Sequence, residues 1–317
     1  HLNEADSVRL IKEVEFDKSS SNSKYGGRLS STTQLLPNKI LPSYFSIQGN
    51  IGVLASQVTL AAPINSKTGF YISGRKTYID EVVGPLIKNG SESNDVNGMN
   101  YGFSDGNFTF LSQLSKKNLL TIDAFVSADA LQVKDGNLAL KTSLKWSNFI
   151  VSPTLGTTFS SKVFMSNAFY FSQYSNDLRM DQATIQFGVS SYVKDFGFNN
   201  SLKYLIKNIP IESGFQYVLH NLQPQKISIK NLNDSSNAFQ DSKINSSEAA
   251  VFTTIKPKIT DHFNAELGVR INYYFSAAKT DSYLHFQPRI LLNYATDHLS
   301  FYASYNKQYQ YLSMITT

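Results

Sequence analysis

The sequence predicts an all-β membrane protein, in which an antiparallel meander forms part of a barrel. Apolar and polar side chains alternate with a period of two over long stretches, which is typical of strands. The 317 residues include 22 Phe and 18 Tyr, whereas only 17% of the residues are charged. No run of 18 apolar residues provides a membrane helix. The alternating strands of a membrane barrel give an amino-acid composition of this kind, although a soluble all-β protein could have the same composition.

The composition argues against several other classes of protein. The chain contains no cysteine, which excludes a disulfide framework and thiolate chemistry. Its net charge of +5 is scattered, and a basic pair at Lys116–Lys117 is too short to indicate a nucleic-acid surface. The five histidines lack metal-ligand spacing. There is no Gly-x-Ser-x-Gly or His-Glu-x-x-His motif. We therefore expect neither an enzyme nor a bound cofactor or metal.

The first 42 residues differ from the rest of the chain. A short alternating strand at Ile11–Phe16 precedes a polar stretch and then the motif KYGGRLSS at Lys24–Ser31, before a proline-punctuated linker that ends at Ser43. Gly26-Gly27 lacks the spacing of a phosphate-binding loop. The pattern predicts a tight turn in which glycine supplies a positive φ. Arg28 is then placed to bind nearby carboxylates or carbonyls.

A meander of thirteen strands is predicted after the linker. The alternation is longest over 183–206, far beyond an ordinary strand of about five or six residues. The predicted strands are 44–52, 55–62, 68–76, 101–111, 118–128, 146–160, 163–174, 183–206, 211–220, 247–258, 263–274, 283–294 and 299–309.

The connections between these strands fall into two classes that alternate along the chain. Tight ones such as 160–162, 207–210, 259–262 and 295–298 are rich in turn-forming residues. The others, at 77–100, 129–145, 175–182, 221–246 and 275–282, are mostly long. Short turns at one end and long loops at the other are typical of an outer-membrane barrel. The alternative is that the segregation arises from where the strand ends are placed.

The alternation also predicts which side chains face lipid and which face the lumen. Charged side chains facing lipid are unfavourable, so the inward set should hold Lys203, Glu212, Gln216, His220, Glu266, Arg270 and Arg289. Aromatic girdles at the edges of the lipid-facing band should hold Tyr170, Phe171, Tyr174, Tyr204, Tyr217, Tyr273, Tyr274 and Tyr302.

Several segments together resemble the TonB-dependent outer-membrane receptors. IKEVEFDKSSSNSKYGGRLSS is similar to the end of their plug domain, and SIQGNIGVLASQVTLAAPI and YISGRKTYID are similar to their first barrel strands. AELGVRINYY, FQPRILLNY and FYASYNKQYQYL are similar to strands further along. The resemblance covers nearly the whole chain. The sequence departs from the family at Ser19–Ser23, which is usually glycine-rich, and at Thr32–Gln34, which is usually more apolar.

The resemblance implies two domains. Residues 1–42 would be the C-terminal part of a small α/β plug with its linker, and residues 43–317 would be the first and middle strands of the barrel. Such barrels have 22 strands. The resemblance therefore implies more plug ahead of His1 and about nine further strands after Thr317.

The implied function is active import across the bacterial outer membrane, driven by a periplasmic TonB-type protein that acts on the plug. A surface lipoprotein is a further partner consistent with the resemblance, and nucleic acid is not expected. The candidate plug–barrel contacts are Glu15, Tyr25, Gly26, Gly27, Arg28, Glu212, Glu266 and Arg270. Substrate would bind among 77–100, 129–145 and 221–246. A passive porin, a surface adhesion barrel and a soluble all-β binding domain remain as alternatives.

Overall fold

The computed structural model describes residues 11–17, 22–27, 29, 31–78, 96–135, 139–231, 237–241, 243–276 and 282–311. Sixteen strands form two sheets in these residues. None of the described segments is a helix with the length and hydropathy to span a membrane. The all-β antiparallel class predicted from the sequence is confirmed.

The leading residues form a hairpin of their own. Strand β1 (Ile11–Asp17) pairs antiparallel with β2 (Thr32–Pro37), with Glu15 opposite Gln34. Sequence alternation predicted β1, whereas β2 was missed because its short segment mixes threonines with leucines. The polar stretch and the glycine motif thus connect the two strands of this hairpin.

All thirteen predicted strands of the meander are present. They form one sheet in chain order, and β3 and β16 are its two edges. The short strand β12 pairs only with β11 and was not predicted. The strands are β3 (Ser46–Ile51), β4 (Ala55–Asn65), β5 (Thr68–Thr77), β6 (Val96–Ser115), β7 (Asn118–Asp135), β8 (Leu140–Ser160), β9 (Val163–Gln182), β10 (Ile185–Ile206), β11 (Ile209–Asn231), β12 (Asn237–Asp241), β13 (Ile244–Ile255), β14 (Phe263–Ser276), β15 (Ser282–Ala295) and β16 (Ser300–Asn306).

Several predicted loops are strands. Most of 129–145 extends β7 and β8, 175–182 belongs to β9, and much of 221–246 belongs to β11, β12 and β13. Residues 96–100 of the segment 77–100 likewise belong to β6, and 79–95 lie outside the described residues. These extensions carry polar residues on both faces, so the apolar–polar alternation that predicts a strand is absent there. The backbone hydrogen bonds between neighbouring strands do not depend on apolar side chains. At about 3.3 Å per residue, β10 spans roughly 70 Å, well beyond a band of about 25 Å.

Loop length therefore does not segregate as strictly as the sequence predicted. Gln182 and Ile185 are joined by only two residues at the end where long loops were expected. At the opposite end, Lys207 and Asn208 form the two-residue turn between β10 and β11, with φ of 48° and 67°. Positive φ at both positions is the type I′ geometry that matches the twist of a hairpin.

The outer face of the sheet carries a continuous apolar belt. Direct cross-strand partners from β5 to β11 run Ile72, Phe108, Ala124, Val151, Phe171, Phe196 and Leu219. Phe196 is 57% and Leu219 48% exposed. A belt of exposed aromatic and aliphatic side chains in one register is the surface that a bilayer requires of a barrel.

Four of the predicted girdle residues lie on the lumen side instead: Tyr170, Tyr174, Tyr274 and Tyr302. Tyr174 shares the face of Tyr170 on β9, and Tyr302 is the partner of Asn293, which lies on the same face of β15 as Arg289. Tyr274 is only 6% exposed and stacks on Tyr311 at 4.7 Å between ring centroids. The ring of Tyr170 lies over Gly197, where a Cβ would stand 2.1 Å from it. Tyr170 and Tyr274 directly adjoin an outward aromatic residue in their strand. Because successive side chains point to opposite faces, only one residue of each adjacent pair can contact lipid.

We expect that Phe196→Arg lowers the free energy of unfolding by about 2–4 kcal/mol, because it places a charge on the lipid side of the belt. Phe196→Leu is the matched control and should change stability by much less. Equilibrium unfolding of the full-length protein from lipid vesicles measures both variants. Equal stabilities for Phe196→Arg and Phe196→Leu would contradict the assignment of this face to lipid.

Candidate functional site

Two arginines on adjacent strands face the lumen and are almost fully buried. Arg270 lies on β14 and is 3% exposed, and Arg289 lies on β15 and is 1% exposed. Arg289 is the cross-strand partner of Gly268, and Arg270 is the partner of Gln287, so the guanidinium groups emerge from neighbouring rows. A buried guanidinium requires several acceptors to offset its lost hydration.

The acceptors are four consecutive backbone carbonyls of the leading segment. Arg289 donates to the carbonyls of Asn22 and Tyr25. Nη1 of Arg270 donates to the carbonyl of Lys24 at 3.0 Å and also contacts that of Ser23 at 3.5 Å. We call this pair the arginine clamp and residues 22–27 the clamped segment. Fork-shaped guanidinium groups suit such multiple contacts, and hydrogen bonds to charged groups contribute about 1.5–3 kcal/mol each.

Ser23 occupies a notch in the barrel wall. The residue is fully buried, and its amide donates to Oγ1 of Thr254 on β13 at 3.3 Å. A Cβ placed on Gly268 would stand 2.0 Å from Oγ of Ser23. The absence of a side chain at Gly268 therefore creates the space into which Ser23 fits.

The two glycines of the motif allow the segment to approach the clamp closely. A Cβ at Gly26 would stand 2.4 Å from Nε of Arg270. Gly27 has a φ of +75°, in the region that glycine adopts without strain, and it lies near the carboxylate of Glu248. The tight turn predicted at Gly26-Gly27 thus also serves as a contact surface for a guanidinium.

Neighbouring polar groups orient the clamp. Nη1 of Arg270 donates to Oε1 of Gln216 on β11 at 2.7 Å, and Nη2 lies 3.8 Å from Oε1 of Glu248. The same Glu248 oxygen accepts a hydrogen bond of 2.7 Å from Nδ2 of Asn272. Side chains of β11 and β13 therefore both contact Arg270.

Two side chains of the clamped segment have altered acidity. Burial, assisted by Glu212, Glu15 and Asp17, raises the pKa of Tyr25 to about 12. Its hydroxyl thus stays protonated across the physiological range and donates to Oε1 of Gln34 on β2. Burial lowers the pKa of Lys24, an effect that the nearby carboxylate of Glu212 opposes.

The candidate contact residues are not all found together. Tyr25, Gly26, Gly27 and Arg270 meet at the clamp. Glu212 accepts a hydrogen bond from Ser201 at 2.7 Å, and its charge helps to raise the pKa of Tyr25. Glu266 pairs instead with Lys256 at 3.0 Å, within the wall. Glu15 lies on β1, opposite Gln34 of β2 in the strand register. Arg28 lies outside the described residues.

Several contact residues were missed as such, among them Ser23, Thr254, Gly268 and Arg289. The sequence predicted that Arg289 faces the lumen. Its position on the strand next to Arg270 was the signal that could have identified it as a contact residue. Ser23, Thr254 and Gly268 carry no charge or motif that distinguishes them from other small polar residues.

A polar cavity of about 450 Å³ lies beside these contacts, between part of the clamped segment and the wall. Its lining includes Gly26, Gly27, Arg270, Tyr170 and the Asp195–His220 pair. Nδ1 of His220 lies 2.8 Å from Oδ1 of Asp195. A polar cavity of this size has room for water beside the hydrogen bonds that hold the segment.

The family of the chain follows from a match over most of its length. The family model described as "TonB dependent receptor-like, beta-barrel" matches residues 69–314. The chain belongs to the TonB-dependent receptor-like β-barrel family. The predicted family, the barrel architecture and the outer-membrane location are thereby confirmed. No curated protein matches this receptor in sequence.

Solved structures share the fold of the receptor. The ferripyoverdine receptor of the outer membrane of Pseudomonas aeruginosa has a TM-score of 0.72 at 11% identity, over 96% of this chain and 48% of that one. The copper transporter OprC has a TM-score of 0.72 at 7% identity, over 96% and 51%. The unliganded ferric citrate transporter FecA has a TM-score of 0.63 at 10% identity, over 92% and 48%. The chain spans about half the length of these proteins.

We expect Arg289→Lys to loosen the clamped segment, because an ammonium group cannot reproduce the planar fork that reaches both carbonyls. The local opening free energy at residues 22–27 should fall by about 1–3 kcal/mol, as measured by amide hydrogen exchange. Arg179→Lys is the control, since Arg179 forms an exposed pair with Asp181 at 3.0 Å. Such pairs contribute about 0–1 kcal/mol. Equal exchange in both variants would refute the clamp.

We expect Gly268→Ala to displace Ser23 from its notch, because the added methyl group would overlap Oγ of Ser23. Gly49→Ala is the matched control, since nothing lies within 4 Å of a Cβ there. Limited proteolysis should cleave near residues 22–27 several times faster in the Gly268→Ala variant only. Unchanged cleavage would show that Ser23 does not depend on this notch.

Proposed function

We propose that this receptor is an active importer of a scarce solute across the outer membrane. Residues 1–42 are the C-terminal part of a plug and its linker, and residues 43–317 form barrel wall. A periplasmic TonB-type protein pulls on the plug and displaces it from the lumen. The contact of the clamped segment with the lumen wall is the observation that carries this proposal.

The chemistry of that contact supports a plug that can move. The clamp binds the backbone carbonyls of the segment through hydrogen bonds. Water in the neighbouring cavity can replace each bond as it breaks, which lowers the net free energy of separation. Separating an apolar interface of the same area would instead expose all of its apolar surface to water, which is unfavourable.

A passive porin or an adhesion barrel is the alternative function. Neither needs a segment held inside its lumen, and neither explains two buried arginines aimed at one backbone. The similarity in fold to transporters named for ferric complexes and copper supports import of a scarce metal-containing solute. A surface lipoprotein that delivers such a solute would be a further partner.

A reversible cross-link tests the proposal. The amide of Ser23 contacts Oγ1 of Thr254, and the chain has no native cysteine. We expect the full-length Ser23→Cys, Thr254→Cys double variant to stop uptake when oxidised and to recover it when reduced. Uptake is measured in energised cells, with each single variant as a control.

The two functions predict different outcomes. Under the importer proposal, uptake by the reduced variant also stops when the proton-motive force is collapsed. Uptake that is insensitive to both the cross-link and the proton-motive force would instead indicate a passive pore.

A further inference from the structure

A buried histidine beside the clamped segment has a ring nitrogen without a partner. His220 lies on β11, lines the lumen cavity and is 9% exposed. Its Nδ1 lies 2.8 Å from Oδ1 of Asp195 on β10. Because a carboxylate only accepts hydrogen bonds, Nδ1 carries the proton of the neutral ring and Nε2 is a bare acceptor. Among the described residues, Nε2 of His220 has no hydrogen-bond partner.

The cavity places this histidine in the same space as the clamp. The other titratable or charged side chains in its lining come from four strands and the clamped segment, namely Tyr170 on β9, Asp195 on β10, Glu248 on β13, Arg270 on β14, and Lys24 and Tyr25. With His220 neutral, the cations Lys24 and Arg270 balance the two carboxylates. A proton on His220 therefore gives the cavity an excess positive charge.

Strand register brings a second carboxylate within reach of the free ring nitrogen. The direct cross-strand partner of His220 is Ser246, and Glu248 follows two residues later on β13. Diagonal neighbours of this kind are separated by about 7–8 Å, a gap that long and aromatic side chains can bridge. His220 and Glu248 also line the same cavity.

A protonated His220 needs an acceptor for its new Nε2–H, because a buried charged donor is costly without one. Ser246 is 6% exposed and offers a neutral hydroxyl, whereas Glu248 offers a carboxylate. The carboxylate adds Coulomb attraction to the hydrogen bond and neutralises the added charge. Glu248 is therefore the favoured acceptor once His220 carries a proton.

Glu248 already serves the clamp. Its Oε1 accepts a hydrogen bond from Nδ2 of Asn272 at 2.7 Å and lies 3.8 Å from Nη2 of Arg270. A Cβ on Gly27 would stand 3.4 Å from the same oxygen, so the carboxylate also borders the clamped segment. If Glu248 turns towards His220, buried Arg270 loses a charge partner and space opens beside Gly27. Both changes weaken the hold on the segment.

We propose that His220 is a proton-operated switch that loosens the clamped segment when the pH falls. Histidine is the side chain that ordinarily changes charge between about pH 5 and pH 8. The direction follows from the competition for Glu248. The clamp is intact while His220 is neutral, at higher pH, and is weakened as His220 takes up a proton, at lower pH. The switch depends on the clamp and not on whether the barrel imports a solute.

The labelling of a cysteine at position 23 reports the state of the clamped segment. The full-length receptor with Ser23→Cys is treated with maleimide between about pH 5 and pH 8, the range in which histidine titrates. Thiol reactivity itself varies with pH. Each rate is therefore divided by that of the Lys116→Cys receptor at the same pH, since Lys116 is exposed at the turn between β6 and β7. We call this quotient the labelling ratio.

We expect the labelling ratio to rise by about tenfold or more as the pH falls, because buried Arg270 loses a charge partner. Adding His220→Gln should hold the ratio at its high-pH value. His298→Gln is the matched control, since His298 is exposed at the turn between β15 and β16, and the rise should persist in that variant. Asp195→Asn removes the charge beside the ring and should move the midpoint of the rise to lower pH by about one unit.

Two results would overturn the switch. One is a labelling ratio that does not change with pH in the receptor that carries only Ser23→Cys. The other is a rise of equal size in the His220→Gln and His298→Gln variants, because the proton would then act elsewhere. If His220→Gln does not fold, the Asp195→Asn variant decides, and an unchanged midpoint in it would also refute the proposal.

Discussion

Two guanidinium groups that donate to one stretch of backbone determine how the leading segment lies in the lumen. Arg270 and Arg289 could not be buried without acceptors, and the carbonyls of residues 22–25 could not be buried without donors. Each partner therefore makes the burial of the other possible. The side-chain contacts at Ser23, Gly26 and Gly27 follow from this arrangement, because the backbone must come within hydrogen-bond distance of the wall.

The same alternation that builds the wall places the clamp on its inner side. Along β14, Arg270 and Asn272 point inward, while Ile271 and Tyr273 point outward. A one-residue slip in register would expose both arginines to lipid. The polar lumen and the apolar belt thus both arise from the same alternation of polar and apolar residues, which has a period of two.

Much of this fold could be predicted from the sequence, and the errors have physical causes. Alternation located all thirteen strands of the meander where one face meets lipid, as in β14. It failed over 129–145 and 175–182, because a strand beyond the membrane is wet on both faces and needs no apolar side chains. Adjacent aromatic residues such as Tyr273 and Tyr274 were both assigned outward, although the pleat allows only one of them to face lipid.

The site was predicted less completely than the fold. Arg270 and the motif glycines were identified because a buried charge and a Gly-Gly pair are visible in a sequence. Ser23, Thr254 and Gly268 were not, since their role depends on shape across strands that lie more than 200 residues apart from the leading segment. Sequence shows which groups need partners, and only the packed structure shows which small residue makes room for them.

Cysteine reactivity at position 23 tests the burial of the clamped segment most directly. Ser23 is fully buried, whereas Lys116 is exposed at the turn between β6 and β7. Maleimide should label the Ser23→Cys variant of the full-length protein far more slowly than the Lys116→Cys variant. Adding Arg270→Ala and Arg289→Ala to the Ser23→Cys variant should remove that protection. Equal labelling of Ser23→Cys and Lys116→Cys in the otherwise unaltered protein would show that the leading segment is not held in the lumen.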